Sequence, residues 1–539
     1  MVFLAFLSSP SPAIKWLGFV CAVWVQAVAG NNYTFSNYSD ALKSLMALSQ
    51  LQLNNLSVAK DVGKAFGILA GLASNKLPPS TILILGAIQG LIGYGAQWLV
   101  VSQKIAPLPY WQMCVFLCLG GNSTTWMNTA VLVTCMRNFK NNQGPISGIL
   151  KGYLGLSTAI FTDASTALFS ANPSAFLLTL TIIPGIICLI AAIFLREMPP
   201  TAAQEKNQSS MLNFFNVMAI IVALYLLAYD ISGNHGRIVS LVFAAGLFVL
   251  LAAPLCIPLY FVFSTQTTNV DVERQENQSL LIQDNKNSAI KVEDGIEVKP
   301  QPVIGEDHTI FQASCTFEFW VLFLSFLCGV GTGMCVLNNL GQMGRALGYS
   351  DVSIFISLTS IWGFFGRIIS GIASEYYIGK SATPRPLWNA LSQVLVAAGF
   401  VVMAFPFPGS LHMGSSMVGM CYGVRLAVTV PIASELFGLK YFGLMYNILI
   451  LNLPLGSFLF SGLLAGYLYD AQATTAIDGV GNTCIGPHCY RLVFIIMAVV
   501  SILGFGLDLL LAQRTKNLYM KIYEIKKLKK YIARNTSLK

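Results

Sequence analysis

The chain has 539 residues, 55% of them hydrophobic and only 10% charged, and its mean hydropathy is +0.66. Soluble domains contain about 25% charged residues, so this composition excludes an ordinary soluble protein and indicates a chain surrounded mainly by lipid. The net charge of +9 is not accompanied by a basic module with interleaved aromatic residues, and we therefore expect no nucleic-acid partner.

Apolar stretches near the length of about 20 residues that crosses a bilayer as a helix recur along the whole chain. They predict about 14 membrane-spanning helices. We place these spans at residues 16–36, 56–75, 80–102, 109–136, 146–169, 173–195, 211–231, 238–263, 317–340, 350–376, 386–405, 410–435, 441–467 and 490–512.

One long segment, residues 264–314, is rich in charged residues and contains no Cys, Trp or Tyr. Such a segment cannot bury enough apolar surface to fold, so we interpret it as a disordered cytoplasmic linker. It divides the chain into two halves, a layout typical of pseudo-symmetric transporters. The predicted units are an N-terminal six-helix bundle at 1–196, an inserted helical hairpin at 197–263, the linker at 264–314, a C-terminal six-helix bundle at 315–512 and a basic cytoplasmic tail at 513–539.

Lys and Arg residues in the short loops predict the orientation, because they are enriched on the cytoplasmic side. An arrangement with both termini in the cytoplasm places there most of these cations, including Lys76, Arg137, Lys140, Lys380, Arg385 and Lys440. We expect an integral multi-pass protein of the plasma membrane or an endomembrane. Its basic tail carries an apolar stripe at Leu518, Ile522, Ile525, Leu528 and Ile532, which predicts binding to the anionic inner leaflet of the bilayer.

Two of the 12 cysteines, Cys484 and Cys489, lie in a polar loop on the predicted outer side. A disulfide between them requires an oxidising compartment, which agrees with that placement. A zinc site is the alternative, but no second pair of ligands accompanies the two cysteines. We therefore expect neither a metal nor another cofactor.

Ionisable residues inside the spans are candidates for function, because each costs about 2.5 kcal/mol or more near the middle of a bilayer. Arg425 lies about midway along its span, and we expect it to bind an anionic group. An ion pair with Asp163 or a bond to an internal carbonyl is the alternative. Lys151 and Glu375 lie nearer to span ends, where the side chains could instead reach the interface. Since no His falls in a predicted span, Asp163 is the candidate for carrying a coupling proton.

The segment Trp362–Gly371, followed by Glu375, resembles the cytoplasmic gating motif of the major facilitator superfamily. In that motif an arginine and an acidic residue hold one helix end against the other bundle. The resemblance implies that Arg367 and Glu375 form an inner gate. The corresponding segment after the second span, Ser74–Pro78, does not contain the motif.

Several longer motifs, spread over nearly the whole chain, resemble the plant nodulin-like family. They include Gly30–Ser39, Gly93–Gly95, Asn128–Thr134, Leu150–Gly152, Ser434–Gly438 and Tyr467–Asp470. The resemblance implies an all-α polytopic membrane protein with the major facilitator superfamily fold, two six-helix bundles plus an extra two-helix hairpin. In that fold the first and fourth spans of each half line the cavity, and these spans carry Tyr33, Asn128, Asn338 and Arg425.

We therefore expect a secondary active transporter that moves a small, anionic organic solute by alternating access. The predicted solute-binding residues are Arg425, Tyr33, Asn128, Asn338 and Lys151. A phosphate-binding loop and a catalytic constellation are both missing from the sequence, so we do not expect an enzyme. The resemblance also implies an alternative, a membrane sensor or scaffold that does not transport and has a role in nuclear or membrane fusion.

Overall fold

The computed structural model describes residues 11–30, 34–48, 50–169, 172–198, 208–232, 236–268, 302–349, 353–405, 407–472, 474–475 and 482–536. Across these ranges the structure is helical apart from turns, loops and one small hairpin, in which Thr474–Thr475 pairs antiparallel with Asn482–Thr483. Tyr33 and residues 269–301 of the predicted linker lie outside the described residues.

Among the residues that the structure describes, the N-terminal half has eight helices between Pro12 and Phe194. They are α1 (Pro12–Val28), α2 (Ser36–Leu45), α3 (Gln50–Ala65), α4 (Gly67–Ala73), α5 (Pro79–Val101), α6 (Tyr110–Asn138), α7 (Gln143–Phe169) and α8 (Pro173–Phe194). The local sequence explains where several of these helices begin. Proline occupies the first turn of α1, α5 and α8, where its missing N–H costs nothing. The Asn172 side chain accepts from the first backbone amides of α8, as an N-cap does.

Two further helices, α9 (Gln208–Ser232) and α10 (Arg237–Ala252), occupy the predicted inserted hairpin. A 3-10 turn at Ala253–Leu255 joins α10 to α11 (Cys256–Thr268). The Tyr229 ring stacks on Phe243 at 3.7 Å between centroids, which joins α9 to α10. The Trp24 indole on α1 donates to the carbonyl of Leu251 at 2.8 Å, so the hairpin packs against the N-terminal half.

The C-terminal half begins with a short helix and ends with a very long one. Its helices are α12 (Ile310–Ser314), α13 (Phe317–Ala346), α14 (Ser353–Ser381), α15 (Pro386–Ala404), α16 (Ser410–Phe437), α17 (Phe442–Ile450), α18 (Asn452–Gly456), a π-helical segment (Ser457–Ala465), α19 (Gly466–Gln472) and α20 (His488–Thr536). The segments from α17 to α19 together form one membrane-length helix, Phe442–Tyr469.

Ten helices of the described part are long and apolar enough to cross a membrane. The other four predicted spans coincide with α1, with α3 and α4 together, with α6 and with α7, which are shorter or more polar. Most of α6 is buried against other helices, including its run from Gly120 to Met127. A helix enclosed by protein can carry polar residues that a helix facing lipid cannot. The predicted all-helical polytopic fold is confirmed.

Glycine allows the two halves to pack closely along α7 and α14. A Cβ added at Gly371 would lie 2.7 Å from the Gly144 carbonyl oxygen and 3.0 Å from the Gly148 Cα. Small residues of this kind let helix backbones approach in a membrane. One hydrophobic cluster continues through this contact, from α1 and α6 to α14 and α16.

The last helix, α20, runs unbroken for 49 residues from the predicted last span into the basic tail. The predicted boundary at residue 513 falls inside it. Tyr519 is fully buried, while Ile525 and Leu528 are more than half exposed. Part of the tail therefore packs against the C-terminal half, and the apolar stripe expected to face lipid is divided between protein contacts and an exposed surface.

Candidate functional site

A buried lysine lies where the two halves of the protein meet. Lys151 on α7 is 2% exposed. Its Nζ donates to the Tyr446 hydroxyl on α17 at 2.5 Å and to Asn128 Oδ1 on α6 at 3.2 Å. The same nitrogen lies 4.7 Å from the centroid of the Tyr446 ring. Since Tyr446 belongs to the C-terminal half, these contacts connect the two halves directly.

Amide side chains complete this group, which we call the Lys151 cluster (Gln26, Asn128, Lys151 and Tyr446). Asn128 Nδ2 donates to the Tyr446 hydroxyl at 2.6 Å, and Gln26 Nε2 on α1 donates to Asn128 Oδ1 at 2.9 Å. Gln26 is fully buried, and its Oε1 has no hydrogen-bond partner among the described residues. The cluster thus draws one side chain from each of α1, α6, α7 and α17.

The hydrogen-bond partners of Lys151 are uncharged. Within the described ranges, no carboxylate forms an ion pair with this lysine. Burying a cation without a counter-charge is costly. The guanidinium of Arg367 lies one helical turn away, where a Cβ added at Gly155 would be 2.3 Å from Arg367 Nη1. Two cationic side chains, one from each half, therefore approach the same stretch of α7, a suitable place for an anion.

Arg425 lies in a different environment, inside the C-terminal half. Its Nη1 is 2.5 Å from Asp508 Oδ2 on α20, and its Nη2 donates to the carbonyl oxygen of Ser325 on α13. The Ser325 hydroxyl also donates to Asp508 Oδ1 at 2.6 Å. Arg425 and Asp508 are 1% and 0% exposed. The solute-binding role of Arg425 stays a prediction, but its charge is already neutralised by a carboxylate of the same half.

The other residues predicted to bind the solute or to carry a coupling proton lie far from one another. Asn338 is exposed, and its Nδ2 donates to the Ser457 hydroxyl at 2.8 Å. Asp163 is buried on α7, twelve residues or about 18 Å along the helix from Lys151. Tyr33 is outside the described residues. Of the predicted solute-binding residues, the structure thus brings together Asn128 and Lys151.

Glu375 forms the centre of a charged cluster at the end of the molecule that carries Arg137 and Arg385, here called the basic end. One of its oxygens, Oε2, lies 2.6 Å from Arg385 Nη2 and accepts the backbone N–H of Gly144 at 3.1 Å. Lys526 on α20 forms a second ion pair with Glu375. Because Gly144 is in the first turn of α7, the carboxylate lies at the positive end of a helix from the other half. Glu375 therefore contacts the N-terminal half directly, and its gating role stays a prediction.

Arg385 is the arginine that pairs with Glu375. It lies just before α15 and also contacts Glu435, with its Nε 2.9 Å from both carboxylate oxygens. Burial alone would lower the pKa of Arg385, but the charges of Glu435 and Glu375 raise it above its usual value. Arg367 lies eight residues from Glu375, or about 12 Å along α14. Both proposed gate residues touch the N-terminal half, but they do so at different depths.

A reciprocal contact runs from the N-terminal half to the C-terminal half. Arg137 at the end of α6 donates through Nε to the Leu439 carbonyl at 3.2 Å and through Nη2 to the Lys440 carbonyl at 2.9 Å. Nearby, the Ser147 hydroxyl donates to the Ala427 carbonyl at 2.7 Å. These bonds and the Glu375 contact hold the basic end closed.

Cys484 and Cys489 form a disulfide with their Cα atoms 5.9 Å apart. His488 Nε2 lies 3.6 Å from Cys484 Sγ, so the three side chains have the proximity of metal ligands. With both sulfurs in the disulfide, the loop offers no thiolate to bind a metal.

Sequence reasoning missed Gln26, Tyr446, Arg385 and Asp508 as members of these sites. Asp508 could have been found, because it lies inside the predicted span 490–512 and carries the charge opposite to Arg425. Gln26 is likewise a polar residue in an apolar span. Tyr446 gave no comparable signal, since tyrosine is common in membrane helices.

Two helical halves with a polar site between them, in contact at one end, are the arrangement of the major facilitator fold. The solved structure of the MFS (major facilitator superfamily) proton:xylose symporter XylE aligns over 91% of this chain and 94% of its own, with a TM-score of 0.54 and 11% sequence identity. This likeness confirms the predicted fold.

The sequence matches the Nodulin-like family model over residues 15–259 and the model of the NFD4 C-terminal domain over residues 304–521. It is 31% identical to Protein NUCLEAR FUSION DEFECTIVE 4 of Arabidopsis thaliana, over 95% of this chain and 90% of that relative. It is 22% identical to "Probable transporter mch1" of Emericella nidulans, over 88% of this chain and 81% of that protein. The chain belongs to the nodulin-like family, as its motifs predicted, and these comparisons support an integral multi-pass membrane transporter.

Proposed function

We propose that this protein is a secondary transporter of a small organic anion and that Lys151 binds the anionic group of the solute. The observation that carries the proposal is the placement of Lys151, a buried cation between the two halves whose direct partners are an amide and a hydroxyl. Charge-assisted hydrogen bonds to an anion are stronger than bonds to these neutral groups. An anionic oxygen would therefore compete well for the lysine.

Replacement of Tyr446 by a solute oxygen at Lys151 would change the contact between the two halves. In the present state its hydroxyl occupies a position beside Lys151 Nζ and Asn128 Nδ2. A solute oxygen that took this position would release a contact between the halves and form bonds to the N-terminal half instead. Solute binding would then shift the balance between the two access states, as a ligand that prefers one conformation must. Gln26 Oε1 could accept a hydroxyl of the same solute.

The gate follows from the contacts at the basic end. Opening on this side requires the loss of the Glu375 contact to Gly144 and of the Arg137 contacts to Leu439 and Lys440. We propose that this side is cytoplasmic, because it carries the loop cations. Arg425 is supported as a residue that holds the C-terminal half together, and Asp163 stays the candidate for proton coupling.

Uptake into proteoliposomes tests the proposal. The purified protein would be screened against small carboxylates, amino acids and sugars, with and without an inward proton gradient. Lys151→Met should reduce uptake of the transported anion at least about tenfold, since a hydrogen bond to a charged group contributes about 1.5–3 kcal/mol. The variant should melt no lower than the wild type, because removing an unmatched buried cation removes a desolvation cost.

Lys104→Gln is the matched control, because Lys104 is exposed and lies over the Trp98 ring at 4.2 Å. It should transport at the wild-type rate. Normal uptake by Lys151→Met would refute the role given to Lys151. If folded wild-type protein accumulated none of the solutes, the result would favour the sensor or scaffold, to which the name of the Arabidopsis relative points.

A further inference from the structure

The end of the predicted linker crosses beneath the C-terminal half. Residues 302–309, here called the strap, run along the end of α16. The backbone N–H of Gly305 donates to the Leu436 carbonyl at 2.8 Å, and that of His308 donates to the Phe437 carbonyl at 3.0 Å. The His308 side chain is 1% exposed, with its ring edge-to-face on Phe437 at 5.7 Å. The strap is therefore an ordered part of this half.

Asp307 extends this contact to the loop that follows α16. Its Oδ1 accepts the backbone N–H of Lys440 at 3.1 Å. Gly438 has a φ of +79°, and a Cβ added there would lie 2.1 Å from Asp307 Oδ1. Glycine is required at this position for both its backbone conformation and the space it leaves. The strap and the loop 438–440 are thus closely fitted to each other.

The same loop is held from its other side by the N-terminal half. Arg137 donates to the carbonyls of Leu439 and Lys440 and forms an ion pair with Glu197. A polar cavity of about 510 Å³ lies between the strap and these side chains, lined by Arg137, Asp307, Glu435 and Lys440 among others. Three parts of the chain, the strap, the loop and the end of α6, therefore meet at the closed end.

We propose that the strap controls the inner gate by holding the loop 438–440 in the shape that Arg137 binds. Asp307 fixes the amide of Lys440, and the rigid loop then presents two carbonyl oxygens to the guanidinium of the other half. Without Asp307 the loop loses this shape, Arg137 loses its acceptors, and the basic end opens more readily. The proposal rests on the alternating-access part of the proposed function but not on the identity of the solute.

Hydrogen–deuterium exchange of the full chain in nanodiscs tests this proposal without any solute. The variants are Asp307→Ala, Asp307→Asn and, as the matched control, Glu306→Ala. Glu306 is the neighbouring carboxylate of the strap, and it bonds to Val303 within the strap. The readouts are the peptide that contains 438–441 and the peptide that contains 143–148, which includes the Gly144 amide at the opposite side of the gate.

Asp307→Ala should accelerate exchange in both peptides by about fivefold, the effect of a hydrogen bond worth about 1 kcal/mol. Asp307→Asn, which keeps an acceptor oxygen, and Glu306→Ala should exchange like the wild type. Faster exchange confined to 438–441 would show a purely local role and overturn the proposal, and so would an equal effect of Glu306→Ala. If Asp307→Ala did not fold, fast exchange in both peptides of a folded Asp307→Asn would overturn the assigned hydrogen bond, and protection in both would support it.

Discussion

Lys151 and Arg425 are both buried cations of membrane-spanning helices, but their neighbours differ. Asp508 supplies Arg425 with a carboxylate from the same half. The neighbours of Lys151 are an amide and a hydroxyl, and the hydroxyl comes from the other half. A buried ion pair adds little to the free energy of unfolding, whereas a buried charge without a counter-charge lowers it. A residue of the second kind is therefore retained for a reason other than stability. These surroundings favour our proposal that Arg425 has a structural role and that Lys151 binds the solute.

The Arg425–Asp508 pair can be tested by a double-mutant cycle. Asp508→Leu should lower the free energy of unfolding by about 3–5 kcal/mol, because it leaves the guanidinium buried without a partner. Adding Arg425→Met should recover most of that loss, so the two effects will not add. Thermal unfolding of the purified full chain measures this. Arg514→Met is the control, because the Arg514 side chain is 48% exposed in its ion pair with Glu318. This substitution should lower the free energy of unfolding by at most about 1 kcal/mol.

Helices α7 and α14 form the main contact between the halves, and glycine determines how closely they pack. Gly144 and Gly148 face Gly371, so that backbone atoms of one helix approach those of the other. A contact made of backbone needs no rearrangement of long side chains when the halves separate. It can therefore be tight in one access state and still break cooperatively.

Gly371→Ala should favour opening at the basic end. The new methyl group would meet the Gly144 oxygen at 2.7 Å, and overpacking of this kind costs about 1–3 kcal/mol. We expect faster thiol labelling of Ser147→Cys, whose native side chain is fully buried at the interface, in a background without other free cysteines. Gly185→Ala is the control, because a Cβ at that position meets nothing within 4 Å. Equal labelling of the two variants would contradict a gate set by helix packing.

At the scale of the whole molecule, the two halves hold each other through reciprocal contacts at one end. A carboxylate of the C-terminal half binds the start of α7, and a guanidinium of the N-terminal half binds carbonyls after α16. The strap and the tail helix reach the same region through Asp307 and Lys526. The gate, the strap and the tail are thus parts of one polar assembly.

Locking this end should stop transport. We expect a disulfide between Ser147→Cys and Ala427→Cys, whose native residues bond across the halves at 2.7 Å, to abolish uptake and a reductant to restore it. The matched control joins Ser80→Cys to Ala192→Cys, which lie within one half and bond at 2.6 Å. Its crosslink should leave uptake unchanged. Continued uptake with the first crosslink formed would show that the halves do not separate there.

The sequence by itself determined the membrane class, the positions of the spans and the family. Each of these depends on local properties, since apolar length, charge in loops and ordered motifs are all read along the chain. It also singled out Asn128, Lys151 and Glu375, because polar residues inside apolar helices are conspicuous without knowledge of their neighbours.

The tertiary structure decided what those residues do together. The partner of Lys151 lies 295 positions away and that of Arg425 lies 83 positions away, and no periodicity relates such distances. Only the packing of the helices shows that one cation is neutralised and the other is not. The contacts of Glu375 could not be predicted for the same reason. Its partners Arg385, Lys526 and Gly144 come from three separate parts of the chain, which meet only when both halves are folded together.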